Sequence, residues 1–93
     1  MNVEVTFFGP FQEAAGEKEL TVSVAAGATV RDLFEAIGED HPELPEKVLG
    51  EDGELVDSVT VSRNGRDVRL DEGAATELDD GDVLRAAPPV HGG

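Results

Sequence analysis

The sequence contains no cysteine. A disulfide framework, a thiolate zinc site and a cysteine nucleophile are therefore all excluded, and nothing in the chain points to secretion. Lysine is nearly absent too. Only Lys18 and Lys47 stand among 7 basic residues, against 21 Asp and Glu, for a formal net charge of −14. A chain this acidic repels a phosphate backbone, which removes direct nucleic-acid binding from consideration. No apolar run is long enough to cross a bilayer, and "MNVEVTFFGP" lacks the basic region and apolar stretch of a secretion signal. The expectation is a cytoplasmic protein with no membrane partner. His41 and His91 are the two histidines, too few for a metal site.

What remains is ample for one domain. At 93 residues and 39% hydrophobic content, the chain can build a single modest core and is not disordered by composition. "VEVTFF" alternates, with Val3, Val5 and Phe7 on one face and Glu4, Thr6 and Phe8 on the other, the period of a half-buried strand. "GPFQEAAG" reads as a helical turn ending at Gly16. Leu20 to Val24 repeat the strand period, so these two strands are expected to pair. Thr29 with Asp32 resembles a capping box, and Val30, Leu33, Phe34 and Ile37 follow at the spacing of one helical face. Gly38 and Pro42 then end the helix.

The stretch "HPELPEKVLGEDGELVD" reads as a long irregular connection anchored by Val48, Leu49, Leu55 and Val56. "SVTVSRNGRDVRL" is a hairpin by its Asn64-Gly65 turn. "DEGAATELDDGD" is a polar loop holding Leu78, and "VLRAA" is the last strand. Arg63 and Arg69 are expected to balance nearby acids, and the acidic stretches Glu51 to Glu54 and Leu78 to Asp82 to be solvated turns without calcium-loop spacing. One helix over a mixed sheet of four or five strands is an α+β layer arrangement. The expected division is a domain over residues 1–87 and an extended tail over 88–93.

At this point the residues resemble a family. "VTFFGPFQEAAG", "TVRDLFEAI", "GELVDSVTVSRNG" and "LDDGDVLRAAPPVHGG" together are similar to the sulfur-carrier group of the molybdopterin-synthase small subunit and the thiamine sulfur carrier, the small archaeal ubiquitin-like modifiers included. The likeness spans nearly the whole chain and is loosest between Gly38 and Gly53. It implies a β-grasp fold, in which the first and last strands lie parallel at the centre of the sheet. Leu84 and Ala86 would then face the helix with Val5 and Phe7. Val83, Arg85 and Ala87 would share the open face with Thr6 and Phe8. The family tail usually carries Ser or Thr where His91 stands.

The tail "PPVHGG" gives the resemblance its chemistry. Gly93 ends the sequence, and a terminal carboxylate with a pKa of roughly 3.3 to 3.7 is ionised near neutrality. A carboxylate is a poor acyl donor and must be activated. The family implies the agent: a ubiquitin-activating-type adenylating enzyme that consumes ATP, with no cofactor bound to this chain. Gly92 and Gly93 can thread a channel that any side chain would obstruct. Pro88 and Pro89 favour an extended entry, continued by Val90, and lower the entropy lost when the tail is ordered.

The resemblance implies two fates for the activated Gly93. Sulfide leaves a thiocarboxylate, a sulfur donor toward molybdopterin or tRNA thiolation, with a molybdopterin synthase large subunit or a tRNA-thiolation enzyme as partner. A target-protein lysine leaves an isopeptide bond. The expected function is therefore a ubiquitin-like modifier that can also carry sulfur, a substrate of enzymes rather than an enzyme. Two alternatives stay open, a dedicated molybdopterin synthase small subunit and a non-covalent β-grasp binding module. In the small-subunit role a larger apolar residue before the prolines would help docking, and Ala87 is small. Phe8, Arg85 and Ala87 are the candidate partner surface, and Lys18 and Lys47 the candidate isopeptide acceptors.

Acid excess with scarce lysine is what a salt-loving host selects, because dense salt screens self-repulsion. The melting temperature should fall as salt is lowered from molar to millimolar concentration. An unchanged melting temperature across that range would refute the halophilic reading.

Overall fold

Alternation in the first residues becomes a strand because its apolar side has a core to face. The computed structural model describes residues 1–89, and in it β1 (Asn2–Phe7) buries Val3, Val5 and Phe7 completely. Glu4 stays exposed and Thr6 half-exposed on the other side. β2 (Glu19–Ser23) pairs antiparallel with β1, joining Val5 to Leu20 and Val3 to Val22. Between them α1 (Pro10–Ala15) starts with Pro10 in its first turn, ends at Gly16, and buries Phe11 and Ala15.

α2 (Val30–Ile37) begins with the reciprocal cap that its sequence announces. The Asp32 amide donates to Thr29 Oγ1 at 3.2 Å, and the Thr29 amide to Asp32 Oδ2 at 3.0 Å. Two of the four amides a helix start leaves without partners are met in this way. Eight residues are too few for a helix to persist alone in water. Burial of Val30, Leu33, Phe34 and Ile37 against the sheet supplies the rest, each such side chain contributing about 1.5–3 kcal/mol relative to exposure.

The connection after α2 departs from the irregular stretch expected of it. Residues Glu43–Val48 form a helix, α3, with Leu44 and Val48 fully buried one turn apart. Two prolines disguise it. Pro42 lies at the cap, and Pro45 lies in the first turn, where the amide it lacks has no intrahelical acceptor to meet. The core is thus covered by α2 together with two shorter helices, not by one helix alone. Leu49, Leu55 and Val56 pack against it half-buried, and Val48 lies inside it.

β3 (Thr60–Arg63) turns at Asn64 and Gly65, whose φ values of 51° and 86° are the positive pair a tight hairpin needs. The returning strand β4 (Arg66–Asp67) is only two residues long. The Asp67 carboxylate accepts the Arg69 amide at 2.9 Å and starts a 3₁₀ turn over Val68–Leu70, which carries Val68 into the core. Arg69 is also placed differently from expectation. Its guanidinium donates to the Val59 and Val56 carbonyl oxygens at 2.7 and 2.6 Å instead of balancing an acid.

β5 (Val83–Ala87) completes the sheet in the order β2-β1-β5-β3-β4. It runs parallel to β1, with Val5 beside Leu84 and Phe7 beside Ala86, and antiparallel to β3, with Val61 beside Ala86. Leu84 and Ala86 are fully buried under the helices. This is the central parallel pair that the β-grasp resemblance implies. No helix among the described residues is long and apolar enough to cross a membrane.

Candidate functional site

The expected working group, Gly93, follows β5 in the sequence, so what holds this strand fixes where the chain leaves the sheet. β5 is bonded along both edges, and its outer face carries Val83, Arg85 and Ala87. The last tie to β1 is the Phe8 amide, which donates to the Ala86 carbonyl at 3.0 Å. The strand stops at Ala87. Pro88 has no amide to continue either ladder, and it holds Ala87 in an extended conformation. Pro88 is exposed and Pro89 half-buried. The expectations for Val90, His91, Gly92 and Gly93 lie outside the described residues.

The other end of β5 is fixed by an ion-pair cluster. Asp82 is only 5% exposed, so its carboxylate cannot rely on water. Arg63 Nε donates to it at 2.5 Å, Asn64 Nδ2 at 2.9 Å, and the Asp79 amide at 2.8 Å. Arg63 reaches Asp79 with its other arm at 2.7 Å. Asn64 also accepts the Val83 amide through its side-chain oxygen at 2.9 Å, and its own amide donates to the Val83 carbonyl at 2.8 Å. Burial pushes the Asp82 carboxyl up, but the Arg63 hydrogen bond, the Asp79 amide and Asn64 outweigh it and leave its pKa below the ordinary value. Arg63 is held above its usual value, first by that same hydrogen bond. The stretch Leu78 to Asp82 is therefore not simply a solvated turn: its last carboxylate is buried and structural. Arg63 does balance nearby acids, as expected.

The open sheet face brings the candidate partner residues together. Arg85 lies beside Thr6 on β1 and Ser62 on β3, exposed and without an ion pair among the described residues. Ala87 pairs with Thr60 and is half-buried. Phe8 is half-buried rather than free, and the Lys18 ammonium sits 4.1 Å from the centre of its ring. A cation over an aromatic face at that distance is attracted by about 0.5–1 kcal/mol at an exposed site. Lys18, read from the sequence only as an acceptor, thus joins the surface around Phe8. Lys47 lies apart from it, exposed in the last turn of α3.

Sequence reasoning did not find the Lys18–Phe8 contact or the Asp82 cluster. The second had a signal: an Asn-Gly turn and a DDGD turn at the two ends of adjacent strands. Among the described residues no group of His, Asp and Glu is placed to hold a metal ion.

A five-stranded mixed sheet with a central parallel pair, one main helix across it and a strand that runs straight into the tail defines a β-grasp protein. The comparisons with known proteins agree. The ThiS family model matches residues 5–93, and the chain belongs to the ThiS family. Small archaeal modifier protein 3 of Haloferax volcanii is 40% identical over 93 residues, which cover 100% of both chains. The crystal structure of SAMP1 from Haloferax volcanii superposes with a TM-score of 0.82 at 36% identity, again covering 100% of each chain. A chain of the Amycolatopsis orientalis BexX/CysO complex gives a TM-score of 0.81 at 30% identity, covering 98% of this chain and 99% of that one.

The depressed Asp82 value has a pH consequence. Its stabilisation is complete above the unfolded carboxylate range near about pH 4 and is lost as pH falls through the lower folded value. Asp82→Ala should cost about 1–3 kcal/mol at neutral pH, since it removes the acceptor shared by Arg63, Asn64 and the Asp79 amide while Arg63 keeps Asp79. Urea unfolding should show the gap to the unaltered protein closing below about pH 4. A gap independent of pH would remove the ion pair from the account.

Proposed function

We propose that this chain is a ubiquitin-like protein modifier, activated at Gly93 and joined to target lysines by isopeptide bonds, and that the same activated terminus also carries sulfur. The observation that carries the reading is the 40% identity to small archaeal modifier protein 3 along 100% of both chains. The geometry supports it from below. A rigid strand ends at Ala87 and is followed at once by Pro88 and Pro89, so an extended stem leaves a fixed point.

The chemistry follows from the carboxylate. Its oxygen attacks the α-phosphorus of ATP on the activating enzyme, pyrophosphate leaves, and an acyl-adenylate forms. A lysine amine of a target protein then attacks the acyl carbon. It loses a proton, expels AMP and leaves an isopeptide bond. Sulfide attacking the same carbon also expels AMP and leaves a thiocarboxylate. On this reading ATP belongs to the activating enzyme, the chain is a substrate rather than a catalyst, and sulfur recipients include molybdopterin and tRNA. The cytoplasm is where all of these meet.

The open face around Phe8, Arg85 and Ala87 is the docking surface for the activating enzyme, next to the point where the tail leaves. That the similar Amycolatopsis chain belongs to a BexX/CysO complex supports recognition of this fold by a second protein. A dedicated molybdopterin synthase subunit is the less favoured reading, because Ala87 offers such a partner little apolar surface.

The test is tagged expression in the source organism with and without Gly92-Gly93, followed by mass spectrometry. After tryptic cleavage behind Arg85, conjugates should carry the remnant AAPPVHGG on lysines and vanish on the deletion, and free protein should include a form with sulfur in place of one terminal oxygen. Conjugates that persist without the two glycines would overturn the reading. Loss of molybdenum-cofactor synthesis with no conjugates at all would favour the dedicated subunit.

A further inference from the structure

Where β5 leaves the sheet, β1 also turns away, and it does so at Gly9. The Phe8 amide makes the last tie between the two strands, to the Ala86 carbonyl at 3.0 Å. Gly9 then takes φ 59° and ψ −133° and feeds directly into Pro10 at the start of α1. That combination is one a side-chain-bearing residue avoids. A β-carbon built on Gly9 would stand 3.2 Å from Pro88 Cγ, tighter than ordinary carbon contact, and 3.5 Å from Pro88 Cδ. The bare backbone of Gly9 therefore forms the seat on which the first proline of the tail rests.

We propose that Gly9 is a positioning residue for activation of Gly93: it sets the direction in which Pro88 and the stem leave the sheet. The inference rests on the reading of Gly93 as the activated group and adds to it a residue far away in sequence. A proline stem transmits direction because its φ angles are fixed. A shift at the seat therefore redirects Pro88 and Pro89 relative to the open face, so the tail is offered to the activating enzyme at the wrong angle, and an ångström of misplacement at a reacting group can cost about 100-fold in rate. Docking by the open face is untouched by such a change, so the loss falls on turnover and not on binding.

A double-mutant cycle tests this, using ATP–pyrophosphate exchange by the activating enzyme with the full-length chain as substrate, at a temperature where circular dichroism shows every variant folded. Gly9→Ala should lower kcat at least tenfold with KM within twofold. Pro88→Ala should lower kcat about threefold, and the double variant should return to the Pro88→Ala level, because the clash is gone. Thermal stability should not follow this pattern, since the strain at Gly9 remains in the double variant. Equal kcat for Gly9→Ala and the unaltered chain overturns the inference. So does a double variant as slow as Gly9→Ala, which would assign the effect to backbone strain alone. Should Gly9→Ala fail to fold, Pro88→Ala still decides: unchanged kcat overturns the proposal. An unaltered chain that supports no exchange is a different result, and overturns the reading of Gly93 along with the inference.

Discussion

The hydrogen-bonding of β5 on both of its edges is the constraint on which the rest of the molecule depends. A strand at a sheet edge can fray or slip, whereas one held between β1 and β3 cannot move without breaking two ladders at once. Its register is set further by alternation, because a slip of one residue would turn Leu84 and Ala86 out to water and bring Arg85 into the core. The same strand that is held most firmly is the one that runs into the tail. Firm anchorage up to Ala87 and an abrupt stop at Pro88 are two consequences of one chemical fact, the presence or absence of an amide to pair.

The few cations of this acid-rich chain divide into two groups. Arg31, Arg63 and Arg66 each pair with carboxylates, and Arg69 holds two backbone carbonyls. These four tie loops to the body; Arg31, for one, donates to the Gly53 carbonyl at 2.7 Å and to Glu54 at 2.9 Å. Most of these pairs are exposed and contribute at most about 1 kcal/mol each, but Asp82 with Arg63 is different because it is sheltered from water. Lys18, Lys47 and Arg85 form no ion pair among the described residues. Two of them, Lys18 and Arg85, lie on or beside the open face from which the tail departs. Against a net charge of −14, that placement leaves the open face less acidic than it would be without them.

The parts of the fold legible in the sequence were those in which local chemistry and tertiary burial agree. Thr29 and Asp32 cap α2 by neighbouring atoms, Asn64-Gly65 makes its turn within itself, and the alternation of Val3, Val5 and Phe7 matches the face that becomes buried. α3 escaped because prolines normally argue against a helix, and only their place at its first turn removes the objection. β4 was shorter than its pattern because Asp67 captured the Arg69 amide and bent the chain early. At the candidate site, the placement of Phe8, Arg85 and Ala87 followed from strand period. The Lys18 contact and the Gly9 seat did not, since each joins residues whose nearness is decided by the packing of whole elements. The chemistry assigned to Gly93 came from the family likeness and from the reactivity of a carboxylate.

The most direct measurement is native-state hydrogen exchange across β5. The amides of Val83 to Ala87 should exchange only through global unfolding, with the same free energy and denaturant dependence as those of Val5 and Phe7 in β1. Exchange of the β5 amides through a local opening, at a free energy well below that of β1, would contradict the account, because the tail would then leave a strand that is itself loose.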